Sequence, residues 1–308
     1  MATSDAGSEM KTDVDANPGA SGEPTRPSRR FSKDTRNRLA AVGRHAALLL
    51  WTVVVLFPLY WIVSMSLKPP REAISLPPDW VFLPTVFNYL RLVQESSFIA
   101  AFANSLFMVT ASVILVLLIG VPAAYVLSRY DIPKQRDVLV WILSSRMLPP
   151  IAVVIPFFVI FRSLNLYDTR IGMIFMYVTI NISLVVWVMK AFFDGIPEAL
   201  EEAARVDGAT RFQGFRKVVL PAAKPGIFSV AIISFIFAWI ELLFGLVLTN
   251  NRAVTVSMQV YQFIGVRQIE WGLLAAASTA VILPVLVFVV AVNKYLAAGL
   301  SFGVVIKE

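Results

Sequence analysis

Six long apolar tracts constrain this chain more than any other feature. They run over 40–66, 99–128, 138–162, 171–190, 225–249 and 272–296. A helix crosses the hydrocarbon core of a bilayer with about 20 apolar residues. Each tract reaches that length, and the first two exceed it, so they extend past the lipid or tilt. The expected fold class is an all-α membrane protein with six transmembrane helices. Pro58, Pro122, Pro149, Pro150, Pro156 and Pro284 fall inside the tracts. A single proline is tolerated in a membrane helix where neighbours or water satisfy the freed carbonyl. The Pro149-Pro150 pair is more severe, and the third span is expected to kink or break there.

Composition agrees with a membrane chain. Hydrophobic residues make up 57% and charged residues 15%, against roughly 25% charged in soluble domains; mean hydropathy is +0.72. The net charge of +7 raises nucleic-acid binding as an alternative. The basic residues flank the tracts rather than forming one patch, which favours membrane orientation. There is no Cys and one His, His45, at the edge of the first tract. No thiolate or histidine cluster for a metal results, and no metal site is expected.

Residues 1–38 read as a disordered tail, rich in Ser, Gly, Pro, Asp and Glu and basic from Arg26 onward. The tract that follows starts too late and runs too long for a cleavable signal peptide. Residues 39–308 then form the membrane domain. With the N-terminus inside, nineteen Lys and Arg fall in inner segments and seven in outer ones, with Arg146 inside the third tract. The positive-inside rule therefore places both termini and the loop 191–224 in the cytoplasm.

That loop carries the most informative pattern, "EEAARVDGATRFQGFRKVVLP" at 201–221. Pro197 suits the first position of a helix. Glu198, Glu201 and Glu202 favour its positive end, and Gly208 suits a left-handed cap. Leu200, Ala203, Ala204 and Asp207 lie on adjacent helical positions. Thr210 with Gln213 is a capping-box pattern that starts a second helix, carrying Phe212 and Phe215 and expected to end before Pro221. The pattern alone is consistent with a docking element or with an amphipathic interfacial loop.

The spacing Glu202, Ala203, Ala204, then Gly208, then Val218, Leu220 and Pro221 resembles the E-A-A-x3-G-x9-I-x-L-P loop of ATP-binding-cassette importer permeases, with Val218 in place of Ile. The form E-A-A-x-x-D-G-A, the segments 104–129 and 146–158, and Asn88-Tyr89 are similar to the carbohydrate-uptake branch, the maltose/glycerol-phosphate-type six-span subunit. Two segments depart from the family pattern: Ile240 stands where the family often has Asn, and the ending "AAGLSFGVVIKE" is looser. The resemblance implies a type I importer permease fold in the bacterial-type inner membrane, with the loop 191–224 acting as a coupling helix in the cleft of a separate ATPase. Its coupling residues would be Glu202, Ala203, Ala204, Asp207, Gly208, Phe215, Leu220 and Pro221. It further implies an ATPase dimer carrying ATP-Mg, a second permease subunit in a heterodimer, and an extracytoplasmic solute-binding protein. The segment 67–98 would be a landing surface for that protein or a simple linker. The chain has no G-x-x-x-x-G-K-[ST], so no catalytic residue and no cofactor of its own is expected.

Polar and aromatic residues inside the tracts are candidates for the solute path. A charge at the bilayer centre costs about 2.5–3.5 kcal/mol on insertion scales, so Arg146 and Glu241 should face the bundle or a watery path. Arg146 either braces the Pro149-Pro150 break or lines the path; Glu241 either packs or lines it. Asn181 could bond solute hydroxyls or join two helices. Trp239 and Trp187 could stack on a sugar ring or simply pack. Gly272, Ala276 and Ala280 form a small-residue row suited to helix packing. The expected function is inward movement of a sugar, polyol or sugar phosphate. The alternatives are a non-carbohydrate solute or an ion-coupled secondary transporter, the latter disfavoured by the absence of evident internal repeats. A membrane-embedded enzyme would need an acid–base or nucleophile set that the chain lacks.

Overall fold

The first tract forms one helix, α1 (Lys33–Ser66), with Pro58 inside it. The structure, a computed structural model, describes residues 33–265 and 269–302, with side chains for 37–38, 40–265 and 269–290. Most of the expected tail 1–38 thus lies outside the described residues, and its last part, 33–38, is helical. The described residues fall into two units that divide between Val55 and Leu56. The described part of the first is a single helical run with Leu48, Leu49, Leu50 and Trp51 exposed, as suits a helix whose apolar surface meets lipid rather than water.

The second unit starts with the last turns of α1. It continues through α2 (Phe87–Gln94), α3 (Phe98–Arg129), α4 (Gln135–Met147), α5 (Pro150–Ser163), α6 (Arg170–Asp194), α7 (Ala199–Val206) and α8 (Arg211–Gly214). A π-helical turn (Phe215–Val219) leads into α9 (Leu220–Ala222), α10 (Lys224–Trp239), α11 (Leu243–Leu248), α12 (Val256–Gln262) and α13 (Trp271–Phe302). Helices dominate the described residues, with one isolated bridge between Ile264 and Ile269.

Helices α3 and α6 form the central pair. They approach closely because Gly120 faces Val185, and a Cβ at position 120 would lie 2.7 Å from the Val185 side chain. The buried residues form two clusters along this pair. One gathers Met108, Met176, Tyr177, Phe235 and Trp239. The other gathers Val116, Ala124, Tyr125, Val185, Met189 and Phe193 toward the end of α3. The small-residue row on α13 is used as expected: Ala276 is fully buried, and Gly272 makes room for the buried Asn88 of α2, whose Oδ1 would lie 2.5 Å from an added Cβ.

Two tracts are broken. At Pro149, with extended backbone, the chain turns between α4 and α5 by 95°. Proline disfavours helical geometry in the residue before it and supplies no N–H, so the adjacent pair stops one helix and starts the next. The tract 225–249, expected as a continuous span, is instead two helices, α10 and α11. Glu241 lies in this second break and accepts the N–H groups of Phe244 at 2.9 Å and Gly245 at 3.2 Å, capping α11. Among the described residues, four helices are long and apolar enough to cross a membrane: Ala40–Ser66, Phe98–Arg129, Arg170–Asp194 and Trp271–Val290. The bent pairs α4–α5 and Arg211–Ala222 with α10 raise the number to as many as six.

The two ends of α3 meet different loops. Near its start, Asn104 donates to the carbonyls of Arg252 and Val254, and Ser105 accepts the N–H of Val256. At its other end, Tyr125 and Arg129 meet the segment around α7. The loops 164–169 and 249–255 therefore share one face, and the α7–α9 segment lies at the opposite one.

Candidate functional site

The α7–α9 segment is built from strong local signals. Pro197 and Glu198 offer the first carbonyls, accepting from Leu200, Glu201 and Glu202. Pro197 itself stands just ahead of the regular helix, within the usual uncertainty of a helix end. Gly208 adopts φ +85°, a left-handed conformation that penalises any Cβ. The N–H of Ala209 returns to the carbonyl of Ala204 at 2.9 Å. Thr210 and Gln213 form the reciprocal capping box, with both bonds present.

The second helix does not end before Pro221. It widens into a π turn, in which the Leu220 N–H reaches back five residues to the carbonyl of Phe215. The helix then continues through Pro221 into α9. A turn already out of i→i−4 register accommodates the missing N–H and the ring of a proline.

Neighbouring carboxylates on α7 face opposite ways. Glu202 is exposed, with only a loose contact to Arg205 at 3.9 Å, too long and too solvated to contribute much. Ala203, Val206 and Asp207 share the exposure, and Phe212 on α8 adds a large apolar side chain that is 68% exposed. Glu201 points inward. Its Oε1 accepts from Arg129 Nε at 2.6 Å, and its Oε2 accepts from the Tyr125 hydroxyl at 2.7 Å. Arg129 Nη2 also donates to the Ile196 carbonyl at 2.6 Å, just before α7. The Tyr125 ring packs against Phe215 and Phe193. Around this joint, Ser128 donates to Asp194 and Lys190 pairs with the same carboxylate. Tyr125, Arg129, Glu198, Glu201 and Arg211 line a cavity of about 210 Å³ beneath α7. Of the expected coupling residues, Phe215 and Leu220 are half-buried, and Ala204 is partly covered.

Sequence reasoning assigned no anchoring role to Tyr125, Arg129 or Glu201. The available signal was a lone arginine closing a long apolar helix and a second acid beside Glu202; neither names its partner.

The path candidates do not converge. Trp239 is 1% exposed, stacks on Phe235 and donates Nε1–H to the Val281 carbonyl at 3.1 Å. It is a core residue here. Asn181 is buried, with Nδ2 on the Tyr177 carbonyl and Oδ1 without a partner. Glu241 is occupied as a helix cap. Arg146 does not brace its own break. Its guanidinium reaches across to the Ile180 carbonyl at 3.5 Å and lies over the Phe237 ring at 5.1 Å. Trp187 is 37% exposed and is the aromatic candidate left at the surface. Among the described residues, no cluster of three potential metal ligands exists.

The fold is thus a helical bundle of long apolar tracts, with an exposed helix–turn–helix locked to one end of its central helix. The chain belongs to the binding-protein-dependent transport system inner membrane component family, whose pattern matches residues 117–301. It is 37% identical over 256 residues to the trehalose transport system permease protein SugB of Mycobacterium tuberculosis, covering 81% of this chain and 92% of that protein. It is 31% identical over 281 residues to the diacetylchitobiose uptake system permease protein NgcG of Streptomyces coelicolor, covering 89% and 91%. A chain of a bacterial ABC transporter that imports the acidic polysaccharide alginate has the same fold, with a TM-score of 0.69 at 25% identity, covering 86% of this chain and 98% of that one. The protein is thus the membrane permease subunit of an ABC importer, with a type I permease fold.

Proposed function

We propose that this permease moves a sugar, or a related polyol or sugar phosphate, inward across the cytoplasmic membrane. ATP-Mg is hydrolysed on a separate ABC ATPase dimer that receives α7, and both chain termini lie on that cytoplasmic side. The carbohydrate class is supported by relatives named for trehalose and diacetylchitobiose. A solute-binding protein on the outer side is supported by the family description and by the exposed apolar side chains Leu76, Val81 and Leu83 in the outer segment, a surface suited to a protein partner. A companion permease subunit completes the bilayer path.

The observation that carries the docking reading is the outer face of α7 and α8: Glu202, Ala203, Val206 and Phe212 exposed together beside the left-handed Gly208. Small side chains permit close approach, Val206 and Phe212 offer area to bury, and Glu202 and Asp207 offer carboxylates to a basic cleft. Catalysis stays on the partner, because the chain lacks a phosphate-cradling loop.

The test is co-purification of the ATPase, with solute-stimulated ATP hydrolysis in proteoliposomes. Gly208→Val and Glu202→Lys should leave the protein inserted in the membrane and weaken ATPase association or coupling by about tenfold, equivalent to about 1.4 kcal/mol. Normal association and transport in both variants would reject α7 as the coupling element.

A further inference from the structure

Glu201 uses both carboxylate oxygens on two residues spaced one helical turn apart on α3. Oε1 takes Arg129 Nε at 2.6 Å and Oε2 takes the Tyr125 hydroxyl at 2.7 Å. Positions i and i+4 share a helix face, so the carboxylate grips one face of α3 at two points. The arginine holds a third point, the Ile196 carbonyl in the chain leading into α7. The side chains of Arg129 and Glu201 are only 7% and 13% exposed. A charge pair so shielded resists separation, because either partner alone would be left poorly solvated. Two hydrogen bonds, an ion pair and the packing of Tyr125 on Phe215 thus fasten α7 and the π turn to the same stretch of α3. Helix α3 in turn packs along α6 through the whole bundle.

We propose that Glu201, clamped by Arg129 and Tyr125, is the positioning residue that makes α7 and α3 move as one body. Displacement of α7 by its ATPase is thereby passed into the membrane helices instead of being absorbed by a loose loop. Neighbouring acids then divide the work: Glu202 faces the ATPase and Glu201 faces the permease. The proposal rests on the reading of α7 as the ATPase-docking helix, and it adds the inner half of the joint, which that reading does not specify.

The full complex, reconstituted in proteoliposomes with its ATPase, companion permease and solute-binding protein, provides the test. Arg129→Gln and Glu201→Gln keep side-chain size and remove one charge each. The ATPase should remain bound, because the outer face is untouched, while ATP consumed per solute imported rises at least tenfold. The double variant should be no worse than either single one, as expected for residues acting as a unit. Tyr125→Phe keeps the ring packing and deletes one donor; it should raise the same ratio two- to fivefold. Tyr125→Phe also decides the matter if the charge variants fail to assemble, since a wild-type ratio in it overturns the proposal. A wild-type ratio in either Gln variant, or additive losses in the double variant, overturns it as well. Failure of the docking reading would show differently, as normal ATPase association and coupled transport in both Gly208→Val and Glu202→Lys.

Discussion

The Asp168 carboxylate accepts the backbone N–H of Ala253 at 3.2 Å, across a separation of 85 residues. It also accepts the N–H groups of Asn250, Asn251 and Arg252, so one side chain closes the loop before α6 onto the loop after α11. Asp168 itself sits at φ 54°, a left-handed conformation that short polar side chains tolerate.

Burial would raise the Asp168 carboxyl, but the four backbone donors outweigh it and hold the group below the usual carboxylate range. A lowered carboxyl contributes stability that is complete above the ordinary value of about 3.9 and is lost as pH falls through the lower folded value. Asp168→Asn should lower stability at neutral pH by about 1 kcal/mol, a figure kept small because the site is partly solvated. It should also flatten the loss of thermal stability that the unmodified protein shows below about pH 4. Melting of the detergent-solubilised protein across this range checks both. An unchanged acid slope would show that the clip does not govern it.

Gly120 predicts a steric response. Its Cβ would meet Val185 at 2.7 Å, and overpacking of this kind costs about 1–3 kcal/mol. Gly120→Ala should lower the melting temperature, and Val185→Ala in the same chain should recover part of the loss. Additive destabilisation would mean that the two residues do not share the contact.

Arg146 is held by an aromatic face and one long bond to a carbonyl. Arg146→Ala should leave the assembled complex in the membrane and reduce solute uptake at least tenfold. Arg146→Lys should keep only part of the activity, since lysine lacks the planar guanidinium that stacks on Phe237. Uptake by radiolabelled solute in whole cells, beside the amount of protein in the membrane, separates the two effects. Wild-type uptake in Arg146→Ala would remove Arg146 from the path.

Orientation is open to direct labelling, because the chain has no cysteine. Thr210 and Asn251 are both exposed and lie at opposite ends of α3. A membrane-impermeant maleimide should label Asn251→Cys in intact cells and Thr210→Cys only after the membrane is opened. Labelling of position 210 from outside would invert the topology.

The chain's own pattern determined the features that depend on neighbours a few residues apart. The apolar tracts follow from length and solvent. The Pro149-Pro150 break, the left-handed Gly208 and the Thr210–Gln213 capping box follow from backbone sterics and local hydrogen bonding. The tertiary structure decided what depends on distant partners. Trp239 lies inside an apolar tract in the sequence, but only packing against Phe235 and the Val281 carbonyl makes it a core residue. Glu241 became a helix cap because α10 stops at Trp239, a break that no proline or glycine announces. Glu201 and Glu202 are neighbours in one acidic turn, and the loop spacing that singles out Glu202 says nothing of where Glu201 points. A rotation of about 100° between consecutive helical residues sends one to Arg129 and leaves the other in solvent, and that division exists only once α3 stands beside α7.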